Sequence, residues 1–117
     1  MWTMFYDTCS GGEIKEPPYE LIFIESDENE AKGIFYARFG HNPERVTCTC
    51  CGDDYAISSE ESFDEITKYH RETRYGSGEY VTTESFSARK DVLIIRDDEI
   101  RLDERDVDVP NEGYIWV

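Results

Sequence analysis

The sequence predicts an α+β domain: a small mixed or antiparallel sheet with two helices packed on it, stabilised by zinc. Three observations point there. Short apolar runs of strand character alternate with turn-formers, two stretches repeat their apolar residues at helical spacing, and cysteines cluster near the middle of the chain. At 117 residues the chain has the size of a single domain, taken as 1–117. Hydrophobic residues make up 38% and aromatics 14%, enough to build a core although 33% of the residues are charged.

Trp2 to Tyr6 is apolar enough for a buried strand and runs into the Ser10-Gly11-Gly12 turn. After Pro17-Pro18, the run Tyr19 to Glu25 has high β-propensity and is the clearest strand. Ser26 or Asp27 can cap a helix in which Ala31, Ile34, Phe35 and Phe39 share a face, and Gly40 stops it. Asn42-Pro43 turns the chain into a short extended segment, Arg45 to Thr47. This strand, helix, strand unit is expected to lay the segment before the cysteines beside the central strand, with the Cys9 turn at the same end of the sheet.

A turn and short strand follow from Asp53 to Ser58. A second helix, from about Glu60 to Glu72, is marked by Ser58 and Glu61 at capping-box spacing and by Phe63, Ile66, Thr67 and His70 on one face. Tyr75 to Gly78 ends it, and Glu79 to Lys90 carries no clear periodicity. Val92 to Ile95 is another strand, Gly113 to Val117 a terminal one, and an acidic connection joins them. Both helices are expected on one side of the sheet.

Cys48-Thr49-Cys50-Cys51-Gly52 contains C-x-x-C-G, a spacing at which a tight turn aims two thiolates at one metal ion. Zinc needs four ligands. Cys9 is the natural third, Cys50 the nearest candidate for the fourth, and His41 and His70 are the substitutes. A structural role is expected. The bland alternative is three reduced thiols with Cys50 packed as a small residue, and a redox role for Cys48 and Cys51 lacks the helix start that such chemistry uses.

Several stretches resemble a family of small proteins encoded by tailed bacteriophages: Trp2 with Phe5-Tyr6-Asp7 and Ser10-Gly11-Gly12, Arg38-Phe39-Gly40 with Asn42-Pro43, Arg45 to Gly52, Asp54-Tyr55 with Ile57-Ser58, and the ending Val109-Pro110 with Glu112-Gly113-Tyr114 and Trp116-Val117. The resemblance covers both ends and the centre but not Tyr75 to Lys90. It implies a phage source and expression in the cytoplasm of the infected bacterial host, and brings no activity with it. Relatives often carry His at the place of Cys9, an exchange that a zinc position accommodates, and do not require His at the place of His41.

Twelve Lys and Arg against 27 Asp and Glu leave a formal net charge of −15. That charge argues against nucleic acid or an anionic membrane as direct partner and favours a protein with a basic surface. No apolar run is long enough to span a bilayer, and the opening residues lack the basic start of a signal peptide. The expected function is binding and inhibition of a host protein, a defence or nucleic-acid-binding factor, by carboxylates standing where phosphates would lie. The candidate surface is Asp97, Asp98, Glu99, Asp103, Glu104, Asp106 and Asp108; a second cluster is Asp53, Asp54, Glu60, Glu61, Asp64 and Glu65. Acidic runs are commonly solvated faces, and Arg96, Arg101 and Arg105 dilute the phosphate-like pattern. A single negative face would favour mimicry, an even spread mere solubility.

Two other classes remain open. A small zinc enzyme would need an open ligand position and a base, but neither H-x-E nor H-E-x-x-H occurs, so a non-enzymatic reading is favoured. A ligand- or nucleotide-sequestering protein would use tyrosines such as Tyr6, Tyr19, Tyr36, Tyr69 and Tyr114, whose spacing does not select it. Oligomeric state is not encoded in any pattern here.

Overall fold

The computed structural model describes residues 1–7, 19–48, 52, 53, 55–73 and 92–116. It is α+β. Strands β1 (Trp2–Asp7), β2 (Leu21–Ile24), β5 (Tyr55–Glu60) and β6 (Val92–Ile95) form a mixed sheet in the order β5-β1-β2-β6. The β1 strand is antiparallel to both β2 and β5, whereas β2 and β6 run parallel. A second sheet, β4-β3-β7, joins β3 (Val46–Cys48) antiparallel to β4 (Gly52–Asp53) and parallel to β7 (Tyr114–Trp116). The stretch Glu79 to Lys90 and the Ser10-Gly11-Gly12 turn lie outside the described residues.

Leu21, Ile22, Phe23 and Ile24 are all fully buried, and this dictates the layering. Alternate side chains of a strand point to opposite faces, so four consecutive buried residues require cover on both. On one face, Ile22, Ile24, Phe5 and Ile95 meet Ala31, Ile34 and Phe35 of helix α1 (Glu28–Phe39). On the other, Leu21, Phe23, Trp2 and Val92 meet Ile66 and Phe63 of helix α2 (Phe63–Thr73). The helices therefore sandwich the sheet and do not share one side, a correction that the unbroken apolar run of β2 explains.

Both hydrogen-bonding edges of β2 are taken, by β1 and β6. No edge is left for β3, which is why the expected pairing of the pre-cysteine segment with the central strand gives way to a separate sheet. The terminal strand β7 finds its partner in the same chain, with Val46 opposite Tyr114 and Cys48 opposite Trp116.

Helix α1 follows the sequence closely. Asp27 caps it, its side chain accepting the Glu30 N–H at 2.9 Å, and Gly40 ends it at φ 78°. Helix α2 begins later than expected, because β5 continues to Glu60 with Ser58 opposite Met4. The cap is Ser62, whose Oγ accepts the Glu65 N–H at 3.1 Å. Ser59 instead bonds the buried Thr3 hydroxyl at 2.9 Å, and Thr3 donates to the Ser26 carbonyl.

Phe35 lies at the centre of the α1 face, its ring 4.9 Å from Phe5, 4.9 Å from Phe39 and 5.2 Å from Tyr55. Phe35→Ala is expected to lower the free energy of unfolding by about 3–5 kcal/mol, because the surrounding rings cannot collapse into the space. Gly40→Ala is expected to lower it by about 1 kcal/mol through its left-handed backbone alone. Denaturant unfolding of both variants checks this, and equal losses would contradict the packing described.

Candidate functional site

The acidic connection after β6 folds into two 3-10 turns, Asp97–Glu99 and Leu102–Glu104. Each is closed by its own acid: Glu99 accepts the Arg96 N–H at 3.3 Å, and Glu104 the Arg101 N–H at 2.9 Å. Ile100, between the turns, is buried in the α1 face of the core. The segment is thus a ledge fixed to α1.

Three ties hold it there. Arg38 of α1 donates from Nε to Glu104 Oε2 at 2.8 Å and from Nη2 to Oε1 at 3.2 Å, with a further bond to the Glu99 carbonyl. Arg105 bridges back, from Nη1 to Glu30 at 2.7 Å and from Nη2 to Asp97 Oδ1 at 2.7 Å. Gly33 lets the chain after the second turn approach the helix closely: a Cβ at Gly33 would stand 3.2 Å from the Val107 carbonyl oxygen. The Glu25 carboxylate also accepts the Asp97 N–H at 2.9 Å, joining the ledge to the end of β2.

Glu104, grouped by the sequence with the partner-facing acids, turns inward, its side chain 4% exposed. Burial pushes its carboxyl up, but the Arg101 N–H, the Arg38 hydrogen bonds and the charges of both arginines outweigh this and hold it below the ordinary carboxylate value. Asp97 is paired with Arg105, and its hydrogen bond is the main reason that the guanidinium holds its proton more tightly than usual. Asp103 pairs with the exposed Arg101 at 3.3 Å. Asp98, Asp106 and Asp108 are exposed and have no ion pair among the described residues. On α1, burial lowers the Lys32 ammonium, but Glu44 and Glu28, each 3.0 Å away, outweigh it and raise its pKa.

The second acidic cluster lies elsewhere. Glu60, Glu61 and Glu65 are exposed around the end of β5 and the start of α2, on the side of the sheet away from α1. Asp54 lies outside the described residues. The acids therefore divide between the two faces.

Beside the ledge is an open groove of about 550 Å³, lined by Tyr19, Ala37, Arg38, Phe39, Leu93, Glu99, Arg101 and Glu104. No sequence pattern marked it, because its walls come from the end of α1, from β6 and from both turns. The interleaved arginines were visible in the sequence, but their partner Glu30, 75 residues before Arg105, was not.

For the thiolates, the described backbone gives a hairpin register. Cys48 stands opposite Gly52, so Cys50 and Cys51 belong to the connection between two paired positions. Asp7, two residues before Cys9, stands opposite Tyr55, which follows the same hairpin. Cys9, Cys50 and Cys51 themselves lie outside the described residues, and among the described residues no group of three or more metal-ligating side chains is assembled. His41 precedes the entry to β3, in a small recess with Tyr36, Asn42 and Glu112, whereas Cys48 stands at its exit. His70 lies on α2. No described helix is long and apolar enough to cross a membrane. Comparison with protein-family models, curated proteins and solved structures finds no match.

The Arg38–Glu104 pair makes an asymmetric prediction. Arg38→Ala leaves a carboxylate buried without its close charged partner, whereas Glu104→Ala leaves a guanidinium already 30% exposed and able to turn to water. Arg38→Ala is expected to cost about 3 kcal/mol and Glu104→Ala about half that, measured by denaturant unfolding near neutral pH. The depressed Glu104 pKa stabilises the fold above the unfolded carboxylate value, and this contribution is lost as pH falls through the folded one. The wild type should therefore lose stability on acidification more steeply than Glu104→Ala; parallel acid curves would contradict the pairing.

Proposed function

We propose that this protein is a small acidic binding protein that occupies and inhibits a host protein with a basic surface, such as a defence or nucleic-acid-binding factor. The observation that carries the reading is the ledge. Glu104 turns inward to Arg38 and Arg105 is held by Glu30 and Asp97, while the outward acids Asp98, Asp106 and Asp108 remain unpaired among the described residues on a backbone tied to α1 through Glu99, Glu104 and Arg105. Fixed carboxylates lose little conformational freedom on binding, and a net charge of −15 steers a basic partner toward them. Because the acids divide between two faces, the proposal rests on the ledge and not on mimicry of a nucleic acid by the whole surface. The phage resemblance supports action in the cytoplasm of an infected bacterial host.

A structural zinc held by Cys9, Cys48 and Cys51, with Cys50 as fourth ligand, belongs to the same proposal. The Cys48–Gly52 register supports it, since a hairpin closed at those positions suits a C-x-x-C-G knuckle, and the Asp7–Tyr55 register starts the chain toward Cys9 from a neighbouring position. Bound there, zinc would staple two distant stretches of a small domain, Cys9 and the run from Cys48 to Cys51.

Immobilised wild type is expected to capture a basic host protein that elutes at moderate salt and is competed off by DNA or RNA, and the combined Asp98→Asn, Asp106→Asn, Asp108→Asn variant to lose it. Capture unchanged by that variant would overturn the ledge as the binding surface. Metal analysis is expected to find about one zinc per chain in the wild type, lost together with thermal stability in Cys48→Ser. Unchanged metal content and melting temperature would overturn the zinc assignment.

A further inference from the structure

We infer that the groove beside the ledge is the specificity pocket for the partner, and that it receives an uncharged apolar side chain flanked in the partner by lysines or arginines. The inference rests on the proposed binding of a basic protein and names what that protein must present. The groove is large enough for such a side chain at about 550 Å³, and its lining includes the partly buried Phe39, Leu93 and Tyr19 together with the exposed Ala37. Its charged lining cancels. Arg38 is spent on Glu104, Arg101 faces Asp103 and Glu104, and Glu99 is engaged with the Arg96 N–H.

With two arginines and two glutamates in the lining, a charged side chain entering the groove would meet no net opposite charge and would forfeit hydration for little return. An apolar one gains contact with the two aromatic residues, Tyr19 and Phe39, and with Leu93 and Ala37. Immediately outside, the environment is acidic. Asp98, exposed and without an ion pair among the described residues, adjoins the lining residue Glu99 in the chain, so a flanking basic side chain meets a carboxylate within a residue or two of the anchor. Neutral pocket and acidic rim together describe an anchor with basic flanks, in which the charges set the rate of encounter and the anchor sets selectivity.

The test uses the whole protein and three synthetic peptides at about 0.15 M salt, where unspecific charge attraction is screened. One carries lysines around a central Leu-Phe pair, the second the same lysines around Ser-Ser, and the third glutamates around Leu-Phe. The lysine-flanked Leu-Phe peptide is expected to bind about tenfold more tightly than its Ser-Ser counterpart, the gain of burying part of one large apolar side chain. The glutamate peptide is expected not to bind. Ala37→Trp, which fills the groove from an exposed helix position without touching the core, is expected to abolish that tenfold difference while leaving Ser-Ser binding unchanged. Lys68→Gln, at an exposed position of α2 on the opposite face of the sheet, is expected to retain it.

Equal binding of the two lysine peptides, weakened alike by Asp98→Asn with Asp106→Asn and Asp108→Asn, would overturn the pocket and leave the acidic ledge standing. Failure of every lysine peptide to bind would overturn both. Binding of the glutamate peptide would show that the pocket takes an acidic anchor through Arg101 and would likewise overturn the inference.

Discussion

Everything in this molecule is arranged around a strand that has no solvent face. The four residues of β2 are buried on both sides, and the two hydrogen-bonding edges are filled by β1 and β6. That one constraint puts α1 and α2 on opposite faces, removes β3 to a second sheet, and divides the surface acids into two separate fields. Among the described residues, the division of the acids between two faces therefore follows from core packing.

The ledge is the counterpart of this constraint on the α1 side. A segment so rich in acids would stay solvated if left alone, because carboxylates at this density repel one another. Arg38 and Arg105 reverse that balance. Arg38 holds the Glu104 carboxylate and the Glu99 carbonyl, Arg105 joins the carboxylates of Glu30 and Asp97, and the buried Ile100 supplies an apolar foot between the turns. What remains outside is a row of acids whose backbone positions are set, a different object from a flexible acidic tail. Gly33 contributes by permitting the approach of Val107, where any side chain would crowd the carbonyl.

The sequence was most legible where a local pattern and its cause coincide. Asp27 and Gly40 bound α1 because capping chemistry acts within one helical turn, and β2 and β6 are apolar runs whose burial is decided by composition. It was least legible where the deciding contact is remote. Ser58 has capping spacing, but pairing with β1 holds it in strand, and Ser62 takes the cap. Glu104 looks identical to its acidic neighbours in the sequence, and only Arg38, 66 residues earlier, turns it inward. The groove has no sequence signature, since four separate stretches build its walls.

The most direct test of the account is amide hydrogen exchange of the complex between this protein and a basic protein captured by it. The account predicts slowed exchange across residues 96–108 and the C-terminal half of α1 on binding, with α2 and the end of β5 unchanged. Slowed exchange confined to α2 and β5, with residues 96–108 unaffected, would move the binding surface to the opposite face of the sheet and contradict the account.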